Sequence, residues 1–129
     1  MKMQWSVFEG EPYRARASVE ARVTLSPQCV IYLNGPAYIA LGAPHAVELM
    51  FEGNRRVIGM KPADIRKRNA FPVKRHSKGS YMRVSAAAFC HNFRIEPRET
   101  LLFDGADFDP DGVLLLDMNR TTTVGRGAR

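Results

Sequence analysis

Short apolar runs separated by polar turns dominate the pattern of the chain, and no run has the length of a long helix. Runs of this kind, rich in β-branched and aromatic residues and bounded by Gly, Pro, Asn and Asp, are typical of strands. The pattern predicts strands at residues 21–25, 30–33, 46–51, 56–60, 71–74, 81–84, 100–103 and 113–117. The chain is therefore expected to be mainly β.

Two short helices are predicted between these strands. Asn34 is expected to cap the first helix, because its short side chain can accept a hydrogen bond from a free backbone N–H of the first turn. Gly42 is expected to end that helix. Ser85 has the equivalent place before a second helix at residues 86–93. Pro62 is expected to end the strand that precedes it, because proline cannot donate to a sheet.

The chain contains an internal repeat. The segment that begins at Ile31 resembles the segment that begins at Met82, with Asn34 aligned to Ser85. Similar apolar residues, a turn and a returning strand follow in both segments. Each segment corresponds to a strand–strand–helix–hairpin unit that cannot bury its apolar face alone. Two pseudo-symmetric units, interleaved, would form a small β-barrel with two short helices and few exposed edges.

The 129 residues are expected to form one domain with a flanking segment at each end. Residues 1–20 are interpreted as an N-terminal arm, and residues 120–129 as a flexible C-terminal tail. The single barrel domain is predicted at residues 21–119, with the first unit at 21–63, a basic connector at 64–78 and the second unit at 71–119.

The first unit reads VTLSPQCVIYLNGPAYIALGAPHAVELMFEGNRRVIGMKPA. It resembles the swapped-hairpin domain of AbrB-type transition-state regulators, in which an apolar strand, a capped helix, Leu-Gly and a hairpin ending near Arg/Lys-Pro follow one another. Leu41-Gly42, residues 47–51 and residues 57–62 occupy the matching places. The resemblance implies a swapped-hairpin, or double-psi-like, barrel that binds DNA, with a tandem repeat in one chain acting as a pseudo-dimer.

In DNA-binding members of that family the helix and the loop before it are rich in Arg and Lys, whereas residues 26–41 carry no charge here. DNA contacts are therefore expected from the connector and its neighbours. Lys and Arg neutralise phosphates and release counterions, a source of affinity that needs no base reading. The predicted nucleic-acid-binding residues are Arg55, Arg56, Arg66, Lys67, Arg68, Lys74, Arg75, Lys78 and Arg83.

The charge distribution favours a polyanion as partner. The formal net charge is +6, and residues 64–78 carry six basic side chains and one acidic side chain. Residues 84–119 carry two basic and seven acidic side chains. The resulting dipole can orient the molecule on double-stranded DNA. The predicted function is a non-enzymatic, transcription-regulator-like DNA-binding protein, and a merely solvated basic linker is the plain alternative.

Two other functions fit parts of the sequence. In the first, the chain is a protein-interaction module or a homo-oligomer that joins acidic and basic faces, with a basic protein on the acidic hairpin Asp104–Asp111 or with Trp5 as an anchor. In the second, Gly79-Ser80 is a self-cleavage site, because the string KGSYMRVSAAAF is similar to that region of pyruvoyl-dependent aspartate decarboxylases. The chain is nevertheless expected not to be an enzyme.

No cofactor and no metal are expected. The loop Asp107–Asp111 imitates the start of a calcium loop, but Met118 stands where the bidentate Glu would be, so an ordinary turn is favoured. Cys29 and Cys90 are interpreted as core residues. No apolar run approaches the length of a membrane span, so no membrane contact and a cytoplasmic location are expected.

Overall fold

The computed structural model describes residues 21–76, 79 and 81–124, which form a curled, half-barrel sheet of ten antiparallel strands with two short helices. The strands are β1 (Val23–Leu25), β2 (Val30–Leu33), β3 (Ala46–Glu52), β4 (Val57–Ala63), β5 (Phe71–Arg75), β6 (Met82–Ser85), β7 (Leu101–Phe103), β8 (Asp107–Phe108), β9 (Leu114–Asp117) and β10 (Thr121–Thr123). The helices are α1 (Gly35–Ala40) and α2 (Ala87–Phe93). The mainly β prediction with two short helices is confirmed.

Strands from the two halves of the chain alternate in pairs across the sheet. The order is β10-β7-β1-β2-β6-β5-β3-β4-β9-β8, and every pairing is antiparallel. The early strand β1 pairs with the late strand β7, and β3 pairs with β5. Neither half of the chain therefore forms a sheet block of its own.

The core lies on the inner side of the curved sheet. Successive side chains of a strand point to opposite faces. The inward ones are fully buried, among them Ile31, Leu33 and Val84 in the central strands and Leu114 and Leu116 in β9, near one edge. Full burial of a side chain of this size stabilises the fold by about 1.5–3 kcal/mol. The sheet therefore has one apolar face and one face toward solvent.

Asn34 caps α1 as the sequence predicts. Its Oδ1 accepts a hydrogen bond from the backbone N–H of Ala37 at 3.0 Å and another from that of Arg22 at 2.9 Å. The cap therefore ties the helix to the residues before β1. Gly42 follows the helix at φ 101°, a left-handed conformation that glycine adopts without strain.

The prediction that Ser85 caps α2 is wrong. Ser85 belongs to β6, where its Cα lies opposite Val30, and Ala86 takes the N-cap position without a side-chain hydrogen bond. The backbone N–H of Ala86 donates to the carbonyl of Cys29 at 2.9 Å. The pairing with β2 extends one residue farther than the sequence pattern indicates, so the helix begins one residue later.

Two other differences from the predictions follow from the strand pairing. Pro62 does not end β4, which continues to Ala63, because β9 pairs only with Val57–Met60 and leaves one side of β4 open beyond that point. Proline fits a strand where its missing N–H faces such an open side. The predicted flexible tail also contains β10, which pairs with β7 and forms that edge of the sheet.

Candidate nucleic-acid interface

The outer face of β1, β2, β6 and β5 carries one continuous row of side chains. Thr24 lies opposite Tyr32, Tyr32 opposite Arg83, and Arg83 opposite Lys74. Residues directly opposite each other in adjacent strands share a face. Since the neighbouring Ile31, Leu33 and Val84 point into the core, this row points outward.

Lys74 and Arg83 form a like-charged pair on adjacent strands. Their positions are direct cross-strand partners, an arrangement that is destabilising because the charges repel at short range. None of the strands β1, β2, β5 and β6 contains an acidic residue. In the described part of the chain neither side chain has an ion pair. An anion bound between them would remove the repulsion.

A shallow depression lies at the same place. It has a volume of about 120 Å³ and is lined by Pro72, Lys74, Arg83 and Ser85. The lining offers two cationic side chains and one hydroxyl donor, and it has no carboxylate. This combination suits a phosphate group, which accepts hydrogen bonds and carries negative charge.

Aromatic side chains stand beside the cationic ones. The ring of Tyr32 lies perpendicular to that of His76, with the ring centres 5.5 Å apart. The backbone N–H of His76 donates to the carbonyl of Tyr81 at 2.8 Å, which fixes the connection between β5 and β6 at this end. The rings of Tyr32, His76 and Tyr81 are all part-buried.

Residues 64–70 of the predicted connector form a loop in which one of the three basic side chains is paired with the loop's own acid. Arg66 donates to both carboxylate oxygens of Asp64, at 2.8 and 3.2 Å. These bonds hold the pKa of Asp64 below its ordinary value and raise the pKa of Arg66. The loop places its acid beside its first arginine, so less of its positive charge is free for a ligand than the sequence suggests.

Glu48 of β3 anchors the rest of that loop. Its Oε2 accepts a hydrogen bond from Asn69 at 2.9 Å and lies 3.9 Å from Nζ of Lys67, and its Oε1 lies 3.4 Å from Nζ of Lys61. The bond from Asn69 and the charge of Lys67 hold the pKa of Glu48 below its ordinary value. Only Arg68 of the predicted loop residues has no acidic partner within the described part of the chain.

The other predicted residues lie elsewhere. Arg55 and Arg56 are in the turn between β3 and β4, whereas β5 pairs with the opposite end of β3. Seven residues of extended strand, about 23 Å, separate the two places. The guanidinium of Arg56 lies over the ring of Phe51, 5.7 Å from its centre. These two arginines do not belong to the surface around Lys74.

Arg75 and Lys78 complete the predicted set. Arg75 lies opposite Met82, one position along β5 from Lys74, so it belongs to the other face of the sheet. Lys78 lies outside the described residues, as does Ser80 of the Gly79-Ser80 pair. Among the eight predicted residues that the structure describes, only Lys74 and Arg83 are cross-strand neighbours.

Tyr32 and Ser85 were not predicted as members of this surface. Tyr32 lies within the apolar run VIYL, which reads as buried on both faces. The alternation of burial along β2, and the full burial of Val84 next to Arg83 in β6, assign Tyr32 and Arg83 to the outer face. That signal becomes useful only once the strand register is known.

The carboxylates of the acidic hairpin accept hydrogen bonds from backbone and side-chain groups of this chain. Oδ1 of Asp109 accepts hydrogen bonds from the N–H groups of Asp111 and Val113, at 2.8 and 2.9 Å. Both oxygens of Asp104 accept from the hydroxyl of Thr122, at 2.9 and 3.0 Å. Such bonds are the usual turn chemistry of aspartate. Among the described residues no cluster of three or more potential metal ligands occurs.

The two cysteines lie in or beside the core. Burial and the neighbouring Cys29 raise the pKa of the Cys90 thiol to about 12. The thiol of Cys29 points to the carbonyl of Ile95, at 3.8 Å. A thiol with so high a pKa is not a nucleophile at neutral pH.

The described helices are short: α2, the longer of the two, has seven residues, and neither could cross a bilayer. Comparison of the chain with family models, with curated proteins and with solved structures found no match.

Proposed function

We propose that this chain is a non-enzymatic, transcription-regulator-like protein that binds the phosphate backbone of nucleic acid on the outer face of β5 and β6. The observation that carries the proposal is the cross-strand pair Lys74–Arg83, which has no acidic partner among the described residues. A fold gains no stability from such a pair. A bound phosphate supplies the missing charge and gives the pair a function.

The architecture proposed for this protein is two interleaved units, as in the AbrB-type family. The strand order supports it: β2 and β6 lie at the centre, β1 and β5 flank them, β7 and β3 follow, and β10 and β4 come next. Apart from β8 and β9, each strand thus has a counterpart in the other half of the chain. The opposition of Tyr32 and Arg83 is consistent with a pseudo-twofold axis at that point, and the hairpin β8–β9 is an addition to the second unit.

The loop of residues 64–70 has a secondary role in this proposal. Arg68 has no acidic partner in the described part of the chain and can add to the positive field near the first residues of β5. Arg66 and Lys67 contribute less, because Asp64 and Glu48 offset their charges. Long-range attraction then comes from the net charge, and the close phosphate contact comes from Lys74 and Arg83.

The test is the salt dependence of oligonucleotide binding, measured by fluorescence anisotropy. The logarithm of the affinity falls with the logarithm of the salt concentration, with a slope of about −0.7 to −0.9 for each phosphate neutralised. The double substitution Lys74→Gln and Arg83→Gln should make that slope shallower by about 1.5. The control, Arg55→Gln with Arg56→Gln, removes the same net charge from the turn between β3 and β4 and should change the slope by less than about 0.5.

Two results would overturn the proposal. In one, the wild-type protein binds no oligonucleotide even at low salt. In the other, both double variants reduce the slope equally, which would mean that net charge alone, and not this face, accounts for binding. Circular dichroism of each variant confirms that the sheet is intact before affinities are compared.

A further inference from the structure

We infer that the outer face takes single-stranded nucleic acid, with an unpaired base stacked on Tyr32 while its backbone contacts Arg83 and Lys74. This inference rests on the proposed function and specifies its ligand. It comes from a juxtaposition in the sheet: the aromatic ring and the two cationic side chains are consecutive members of one cross-strand row. Two strand spacings separate Tyr32 from Lys74, about 10 Å.

Tyr32 is only part-buried, and its described ring contact is with His76. The two ring planes are inclined by 82°, so the edge of one ring meets the face of the other. Such a contact occupies at most one face of either ring, and it holds the Tyr32 side chain in place. A ring already held by a neighbour loses little conformational freedom when a base stacks on it.

The geometry favours an unpaired strand over a duplex. In a duplex the bases are stacked on one another, and only their edges are accessible in the grooves. A tyrosine on a sheet surface can reach the face of a base only when the base is unpaired. Duplex DNA could still contact Lys74 and Arg83 through its phosphates, but Tyr32 would add nothing to that contact.

The chemistry of the row agrees with known ways of binding single strands. Proteins that bind them without sequence preference combine a cationic track for the backbone with aromatic side chains for the bases. On this face the cationic side chains are Lys74 and Arg83, and the four strands contain no acid. The hydroxyl of Ser85, in the same depression as the two cationic residues of the pair, is a further donor to phosphate.

The experiment compares four ligands by fluorescence anisotropy at one salt concentration. They are a single-stranded oligothymidylate, its duplex with oligoadenylate, an abasic oligonucleotide of the same length and inorganic polyphosphate as a competitor. The wild-type protein should bind the single strand about tenfold more tightly than the abasic strand, because only the stacking is lost. It should also prefer the single strand to the duplex.

Substitutions at one position separate stacking from charge. Tyr32→Leu should weaken binding of the single strand about tenfold and leave binding of the abasic strand and of polyphosphate unchanged. Tyr32→Phe keeps the ring and should stay within about twofold of the wild type. Phe93→Leu changes an exposed aromatic ring of α2 that packs on Phe51 and not on this row; it is the matched control and should have no effect on any ligand.

Three outcomes would overturn this inference alone: equal affinity for the single and abasic strands, no effect of Tyr32→Leu, or tighter binding of the duplex. Each leaves polyphosphate binding through Lys74 and Arg83 intact. Failure of the proposed function has a different signature, in which neither polyphosphate nor any oligonucleotide binds. The abasic ligand tests the inference on the wild-type protein, so the result does not depend on the folding of a variant.

Discussion

The loop of residues 64–70 and the outer face of β5 and β6 are both basic, but only the loop region supplies its own acids. Arg66 is held by Asp64, and Lys67 lies near Glu48. Lys74 and Arg83 have no such partner in the described part of the chain, although they lie directly opposite each other. A basic segment is therefore a candidate for anion binding only where acidic side chains do not already neutralise its charge.

The largest expected effect comes from reversing the charges of the face. Lys74→Glu with Arg83→Glu should weaken oligonucleotide binding about hundredfold at low salt, because two phosphate contacts become repulsive. The same reversal in the loop, Arg66→Glu with Arg68→Glu, should weaken it less than about tenfold. Anisotropy with both proteins measures the difference. Equal losses would show that the two regions act alike.

Features that depend on neighbouring residues in the chain could be predicted from the sequence. Features that depend on pairing between distant segments could not. Residues 30–33 were predicted as a strand with the bounds that β2 has, because an apolar run and its flanking turn residues are local signals. β8 and β10 were not predicted. They have only two and three residues, most of them polar, so they show no alternation of apolar and polar positions. Their strand conformation comes from pairing with β9 and β7.

The site is harder to predict than the fold for the same reason. Lys74 and Arg83 belong to the predicted set, but nine chain positions separate them. Their opposition follows from the register of β5 with β6, which the length of the connecting turn decides. Asp64 and Arg66 are close in sequence, so their contact is a local one. The contact of Glu48 with the loop, in contrast, depends on how the loop folds back on β3. The two-unit symmetry remains a prediction.

A second, smaller effect should appear when the loop loses its acid. Asp64→Asn removes the carboxylate that holds Arg66 and frees a guanidinium for phosphate. Oligonucleotide binding at low salt should strengthen about threefold, which is the expected size for one added exposed contact. Glu52→Gln, a carboxylate at the other end of β3, is the control and should change affinity by less. A loop variant that binds no better would mean that this loop does not approach the ligand.

The smallest effect concerns pH. The lowered pKa of Glu48 means that its carboxylate stabilises the folded protein above the ordinary value of 4.5 and loses that contribution as the pH falls below it. Glu48→Gln should therefore lower the melting temperature slightly at pH 7, and the difference should vanish near pH 3. Thermal unfolding at several pH values measures it. A difference that persists in acid would mean that packing, and not charge, accounts for it.

The most direct test of the account is the thermal unfolding of the wild type and of Lys74→Glu, each with and without a saturating single-stranded oligonucleotide. Without ligand, Lys74→Glu should be the more stable protein by about 0.2–1 kcal/mol, because a repulsive cross-strand pair becomes attractive. With ligand, the wild type should become the more stable one, since only a protein that binds gains stability from the ligand. If the protein with the higher melting temperature is the same with and without ligand, the pair Lys74–Arg83 is not an anion-binding site.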